Sequence, residues 1–205
     1  MKDPGMRRGG NWTPEHVARY RAWIDTFIRQ YRDAGNVADC ADLALESLVT
    51  YAGQNGLHVE ITTRVSPRRT VSELGFSSYA QLARTARIEA GARNLADAQN
   101  TRPVDLRDAL PGDLLLFNWM QTQQPPNIPH WHTMIFIDAN KLWFGNAVNV
   151  DEPTLPDYVS NDKKRRVVVG YDAAGHELMG DVGPQFYLTH QDIFGRTPRR
   201  WRLFF

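Results

Sequence analysis

The chain lacks a second cysteine: Cys40 is the single one among 205 residues. No intramolecular disulfide can form, and the redox compartment is left open. An excess of either charge is also missing, because 24 basic residues stand against 23 acidic ones for a formal net charge of +1. No global field then draws the chain to nucleic acid or to an anionic membrane, and neither is expected as a partner. The basic clusters Lys163-Lys164-Arg165-Arg166 and Arg199-Arg200 with Arg202 read as solvated faces. No apolar run approaches the ~18 residues of a membrane-spanning helix, so no stable membrane insertion is expected. The N-terminal residues carry charge without the ~7 to 15 apolar residues of a secretory signal, and they read as a flexible leader over residues 1–11. A protein of this kind acting outside its producer must leave by another route.

What is present is enough apolar material for one core. Hydrophobic residues make up 42% of the chain, with six Trp, seven Tyr and nine Phe. Residues 12–205 therefore read as a single domain that needs no disulfide. Thr13-Pro14-Glu15 is a helix start, with Thr13 as N-cap and Pro14 in the first turn. Val17, Tyr20, Ile24, Phe27, Ile28 and Tyr31 follow at helical spacing to about Arg32. A second helix starts near Asp39 and stops at Gly56, apolar over most of its circumference, which marks it as central. Leu57 to Arg64 suits a short strand or an extended connection, and a third helix begins at Ser77 or Ser78 and ends before Gly91.

Beyond Pro111 the pattern changes to short apolar runs separated by Pro, Gly and Asn. Asp113 to Trp119, His132 to Asp138, Lys141 to Phe144, Arg166 to Tyr171, Gln185 to Leu188 and Arg200 to Phe205 read as strands. Gln121 to Pro129 and Asp172 to Gly180 read as loop and turn. Many links are too short for a helical crossover, which makes the sheet largely antiparallel and the fold class α+β.

Cys40 falls at the start of the central helix, where unpaired N–H groups and the positive end of the helix dipole favour thiolate over thiol. The competing reading is a small core hydrophobe. A nucleophilic thiol needs a base, and the base needs an orienting partner. Of the six histidines, His16, His58, His176 and His190 lack companions that recommend them. His132 opens an apolar strand after a proline-containing loop, and His130, two residues earlier, stays open as the base or as a lining of the substrate cleft. Turning near Ala139-Asn140 returns Asn146 to the neighbourhood of residues 132 to 134, where its amide oxygen can accept the second imidazole N–H.

The set Asp39-Cys40, Pro111-Gly112-Asp113-Leu114-Leu115-Leu116-Phe117, His132-Thr133-Met134-Ile135-Phe136-Ile137 and Asn146-Ala147 resembles the NlpC-type cell-wall hydrolases of the papain-like superfamily. The resemblance covers Val37 to Ala147, with an inserted helical segment at about residues 65–105. It implies a papain-like fold in which N-terminal helices, with the catalytic cysteine at a central helix start, pack on a largely antiparallel sheet. It implies catalysis by Cys40, His132 and Asn146, with Asp39, His130 and Trp131 at the substrate cleft. No cofactor and no metal is required. The implied activity is hydrolysis of a peptidoglycan stem-peptide amide by an antibacterial effector, exported without a signal peptide by a contact-dependent route such as type VI secretion and matched by an immunity protein. The alternatives are a papain-like toxin acting on a target-cell protein as deamidase, protease or acyltransferase, and a non-catalytic binding domain.

Overall fold

Thr13 and His16 cap each other at the start of α1 (Pro14–Asp33): the Thr13 hydroxyl accepts the His16 N–H, and the His16 ring accepts the Thr13 N–H at 3.3 Å. Tyr20, Ile24 and Ile28 form its buried stripe. In this computed structural model the described residues are 8–63, 69–120, 129–138, 141–145, 150–151, 166–171, 177–181 and 198–205. Asp39 caps α2 (Cys40–Asn55) by accepting the Asp42 N–H at 2.7 Å, and Gly56 closes it with φ of 61°. α2 is buried over most of its circumference, with Ala41, Leu45 and Leu48 along one side and Leu43, Ala44 and Ser47 round to the other, and this makes it the axis of the core.

The strands β1 (Glu60–Thr62) and β2 (Thr70–Ser72) form an antiparallel pair, followed by α3 (Tyr79–Glu89), which starts on Ser78, and the single turn α4 (Ala92–Leu95). After β3 (Thr101–Pro103) come β4 (Leu114–Met120), β5 (Pro129–Asp138), β6 (Lys141–Gly145), β7 (Val150–Asp151), β8 (Arg166–Tyr171), β9 (Glu177–Asp181) and β10 (Pro198–Trp201). Six of them build an antiparallel sheet in the order β3-β10-β4-β5-β6-β7, and β8 pairs with β9. The fold is α+β. Leu114, Leu116, Ile135 and Ile137 pack against the helices, and Leu115, Met134 and Phe136 are buried on the other face. Among the described residues, no helix is long and apolar enough to cross a membrane.

Several boundaries differ from the sequence expectation. Gly10 donates to Gly56 O and accepts from His58 N, both at 2.8 Å, so the fold takes in Gly10, a residue of the expected leader. β2, β3 and β7 are two or three residues long and exist because a partner strand stands beside them. β9 occupies part of the stretch expected to turn, paired along β8, and residues 202–204 coil into a 3-10 turn instead of extending β10. The expected strand at 185–188 lies outside the described residues, as do His176 and His190.

The Pro111-Gly112-Asp113 turn anchors the sheet to the helices. Gly112 has φ of 86°, and a Cβ there would lie 2.5 Å from the Tyr20 ring, so the position requires glycine on two counts. Asp113 is fully buried, receives Leu110 N–H at 2.8 Å, and holds the Arg200 guanidinium through both carboxylate oxygens at 2.9 and 2.7 Å.

A second buried carboxylate ties the N-terminal segment down. Glu73 accepts N–H groups from Gly9 and Val59 at 2.8 and 3.0 Å and lies 2.7 Å from His58 Nδ1. Burial pushes the Glu73 carboxyl up, but the bond from His58 and the two backbone donors outweigh it and hold the group below its usual range. A depressed carboxyl contributes stability that is present above its unfolded pKa, about 4.3, and lost as pH falls through the folded value. Glu73→Gln is expected to lower urea-unfolding stability at pH 7 by about 1 to 3 kcal/mol. It is also expected to flatten the acid loss that the wild type shows below about pH 4.5. Equal acid profiles for the two proteins would contradict this account.

Candidate active site

Cys40 is the first residue of α2 and half-buried, packed against the apolar core that α2 shares with β5. Burial pushes its thiol up to about 11; the Thr133 backbone N–H pulls the other way, Asp39 adds to the rise, and the helix-start N–H groups of Ala41 and Cys40 offset part of it. The helix-start N–H groups act in the expected direction, and burial outweighs them. With a thiol of this pKa only about one molecule in 10⁴ is thiolate at pH 7, so any chemistry here needs a base at the moment of attack.

The contact with Thr133 follows from how β5 is bonded. Phe136 exchanges backbone bonds with the β4 side, donating to Asp113 O and accepting from Gly112 N at 2.8 Å each. In an antiparallel strand neighbouring residues bond to opposite sides. The even-numbered residues of β5 therefore face β4, and the amides of Thr133, Ile135 and Ile137 face β6. Described pairing between β5 and β6 runs from Asp138 with Lys141 to Ile135 with Trp143 and stops there. Beyond that point the Thr133 N–H has no strand partner among the described residues, and the Cys40 sulfur takes it.

His132 adjoins this contact in sequence, in register with Phe117, while His130 and Trp131 lie opposite Trp119 and Asn118. The sulfur meets β5 through Thr133, whereas positions 130 and 132 fall in the alternate row of the pleat, the row of Met134 and Phe136 on the face away from α2. Asn146 itself lies outside the described residues. Asp39 is engaged as the helix cap, and Asp42 and Glu46 behind it are bridged by Arg87 of α3 at 3.2 and 3.4 Å.

Sequence reasoning set His58 aside, although it is held by Glu73 and lines a cavity of about 450 Å³ with Glu60, Gln99 and Arg202. That cavity lies past the far end of α2, a helix length of about 24 Å from Cys40. Thr133 was also passed over. Its signal was legible: a hydroxyl in the helix-facing row whose other members are Ile135 and Ile137. Among the described residues no group of three or more His, Cys, Asp or Glu is arranged to hold a metal. No family model, no curated protein and no solved structure matches the chain.

Proposed function

We propose that the protein is a cysteine-dependent amide hydrolase of papain-like architecture, acting on the stem peptides of peptidoglycan. The observation that carries this reading is the seating of Cys40, at the start of the central helix, against the strand position next to His132. The order of elements supports it: a cysteine-bearing helix, then the Pro-Gly-Asp turn, then the histidine-bearing strand of an antiparallel sheet.

In this mechanism His132, brought round the end of β5 from its row on the far face, takes the Cys40 proton as the sulfur attacks the amide carbonyl, forming the C–S bond and a tetrahedral oxyanion. The Cys40 backbone N–H at the helix start is one donor to that oxyanion. The imidazolium then returns the proton to the leaving amine as the C–N bond breaks. Water, deprotonated by His132, attacks the thioester and releases the acid. Because the resting thiol is protonated at neutral pH, His132 acts as a general base rather than as half of a preformed ion pair. Asn146 orients the ring, and His130, Trp131 and Asp39 border the substrate. The biological setting in this reading is attack on the wall of a neighbouring cell after contact-dependent export.

Purified peptidoglycan, digested and analysed by mass, tests the substrate class. The expected products are paired fragments with a new carboxyl and a new amine, their summed mass exceeding the parent by one water. Intact peptidoglycan, or cleavage confined to glycan bonds, would reject it.

A further inference from the structure

The cavity of about 450 Å³ past the far end of α2 is lined by His58, Glu60, Ala98, Gln99, Arg202 and Leu203. Its size falls within the ~300 to 1,000 Å³ of small-molecule sites. Hydrogen bonds tie its walls together. Asn100 Oδ1 accepts the Thr62 N–H at 2.8 Å and Asn100 Nδ2 donates to Thr62 O at 2.9 Å, which fixes the chain around Gln99 against β1. Arg202 N–H donates to Asn100 O at 2.9 Å, and Arg202 Nη1 donates to Ala98 O at 3.1 Å. The polar groups around the space therefore sit on a rigid frame. Each of them keeps bonding capacity that the fold does not use. Glu73 is ionised at neutral pH and can only accept, so the His58 ring carries a proton on Nδ1, and the neutral ring has its lone pair at Nε2. Glu60 Oε2 stands 3.7 Å from that nitrogen, too far for a hydrogen bond. Gln99 Oε1 accepts the Thr62 hydroxyl at 3.0 Å, which leaves the amide N–H donors of Gln99 without a partner among the described residues. Arg202 pairs with no carboxylate among the described residues, Glu60 included.

We infer that this cavity binds a small zwitterion, a free amino acid or a short peptide with unblocked ends, holding its ammonium between His58 Nε2 and Glu60 and its carboxylate on Arg202 and the Gln99 amide. Two acceptors 3.7 Å apart cannot satisfy each other, whereas an ammonium carries three donors and satisfies both. A guanidinium edge with an amide N–H beside it matches the two oxygens of a carboxylate. Opposite charges that share one cavity without pairing suit a ligand that carries both signs. Ala98 and Leu203 supply an apolar wall for a small side chain. The site stands on these residues alone and does not depend on the role of Cys40. Cleavage of a stem peptide would release ligands of this class, since each cut creates a new amine and a new carboxyl.

Alanine and alanyl-alanine, each in its all-L and all-D form, are titrated into the full chain at neutral pH while NMR follows the Gln99 side-chain amide and the His58 ring. N-acetyl-alanyl-alanine and alanyl-alanine amide serve as blocked counterparts. Saturable shifts with a Kd of about 0.1 to 3 mM are expected for at least one of the unblocked compounds, and the amino acid and dipeptide arms show which length fits. Blocking either end is expected to weaken binding by at least about 10-fold, because one charged contact is lost. Glu60→Gln and Arg202→Gln are each expected to weaken it by about 5- to 20-fold. Both positions are exposed, so melting midpoints near wild type accompany the loss. No saturable shift with any unblocked compound, blocked compounds that bind as tightly as the free ones, or full affinity in both variants would overturn the inference. Binding is read without turnover, so its failure is distinct from failure of the peptidoglycan reading.

Discussion

Cys40→Ala is expected to lower amide hydrolysis by about 10⁴- to 10⁶-fold, the loss that removal of a covalent nucleophile produces in serine hydrolases. The fold should survive the change. Cys40 is half-buried at the first position of α2, alanine is the strongest helix former, and the Asp39 cap with its 2.7 Å bond to Asp42 N–H is untouched. A circular dichroism spectrum and melting midpoint near wild type therefore accompany lost turnover. Two further variants assign the base. His132→Ala is expected to cost about 10²- to 10⁴-fold. His130→Ala, bordering the substrate, is expected to act mainly through KM. A larger kcat loss at His130 than at His132 would transfer the role of base to His130, whose pleat position is equivalent. If Cys40→Ala retained wild-type turnover, the sulfur would be a core atom and the enzymatic reading would fall.

The largest effect on stability is expected from the Asp113–Arg200 pair. Asp113 is fully buried and the Arg200 side chain is 13% exposed, so the carboxylate is shut off from solvent while the guanidinium keeps an edge at the surface. The guanidinium is also tied to Asp108 O at 2.7 Å, which fixes the fork that grips the carboxylate. Arg200→Ala leaves a buried carboxylate without its counterion at the turn joining Gly112 to β4, and should destabilise by about 3 to 5 kcal/mol. For a chain of this length that is a drop of about 6 to 20 °C in Tm. The double variant Asp113→Leu with Arg200→Met should recover much of the loss, because replacing both charges by apolar groups removes the desolvation penalty as well as the attraction. Urea unfolding of the single and double variants measures both terms. An Arg200→Ala protein within about 1 kcal/mol of wild type would show the pair to be a surface contact in solution.

Local signals carried most of the helical half. Thr13-Pro14, Asp39 and Gly56 act through residues a turn or less away, so caps and stops at these positions could be read directly from sequence. α4 could not, being one turn held by Asn94 Oδ1 on Gly91 N–H. The strands with continuous apolar runs, β4, β5, β6 and β8, were legible. β2, β3 and β7 were not, because two or three residues have no period and pair only where a neighbour presents an edge.

The site divides in the same way. Cys40 at a helix start and His132 at a strand were visible as local features. The protonation state of the thiol was not, because it depends on how deeply β5 and the core bury the sulfur. The Pro-Gly-Asp turn was noticed as a motif, yet its carboxylate is explained by Arg200, 87 residues away. Glu73 and His58 met only through folding, since they stand 15 residues apart and His58 has a nearer carboxylate in Glu60.

The central claim is that Cys40 carries the acyl group during turnover. Its most direct test is rapid acid quench of the enzyme with a stem-peptide amide, followed by intact mass and peptide mapping. The account predicts an acyl adduct on the peptide containing Cys40, released by hydroxylamine and absent in Cys40→Ala. Turnover with no adduct in the wild type and an undiminished rate in Cys40→Ala would contradict it.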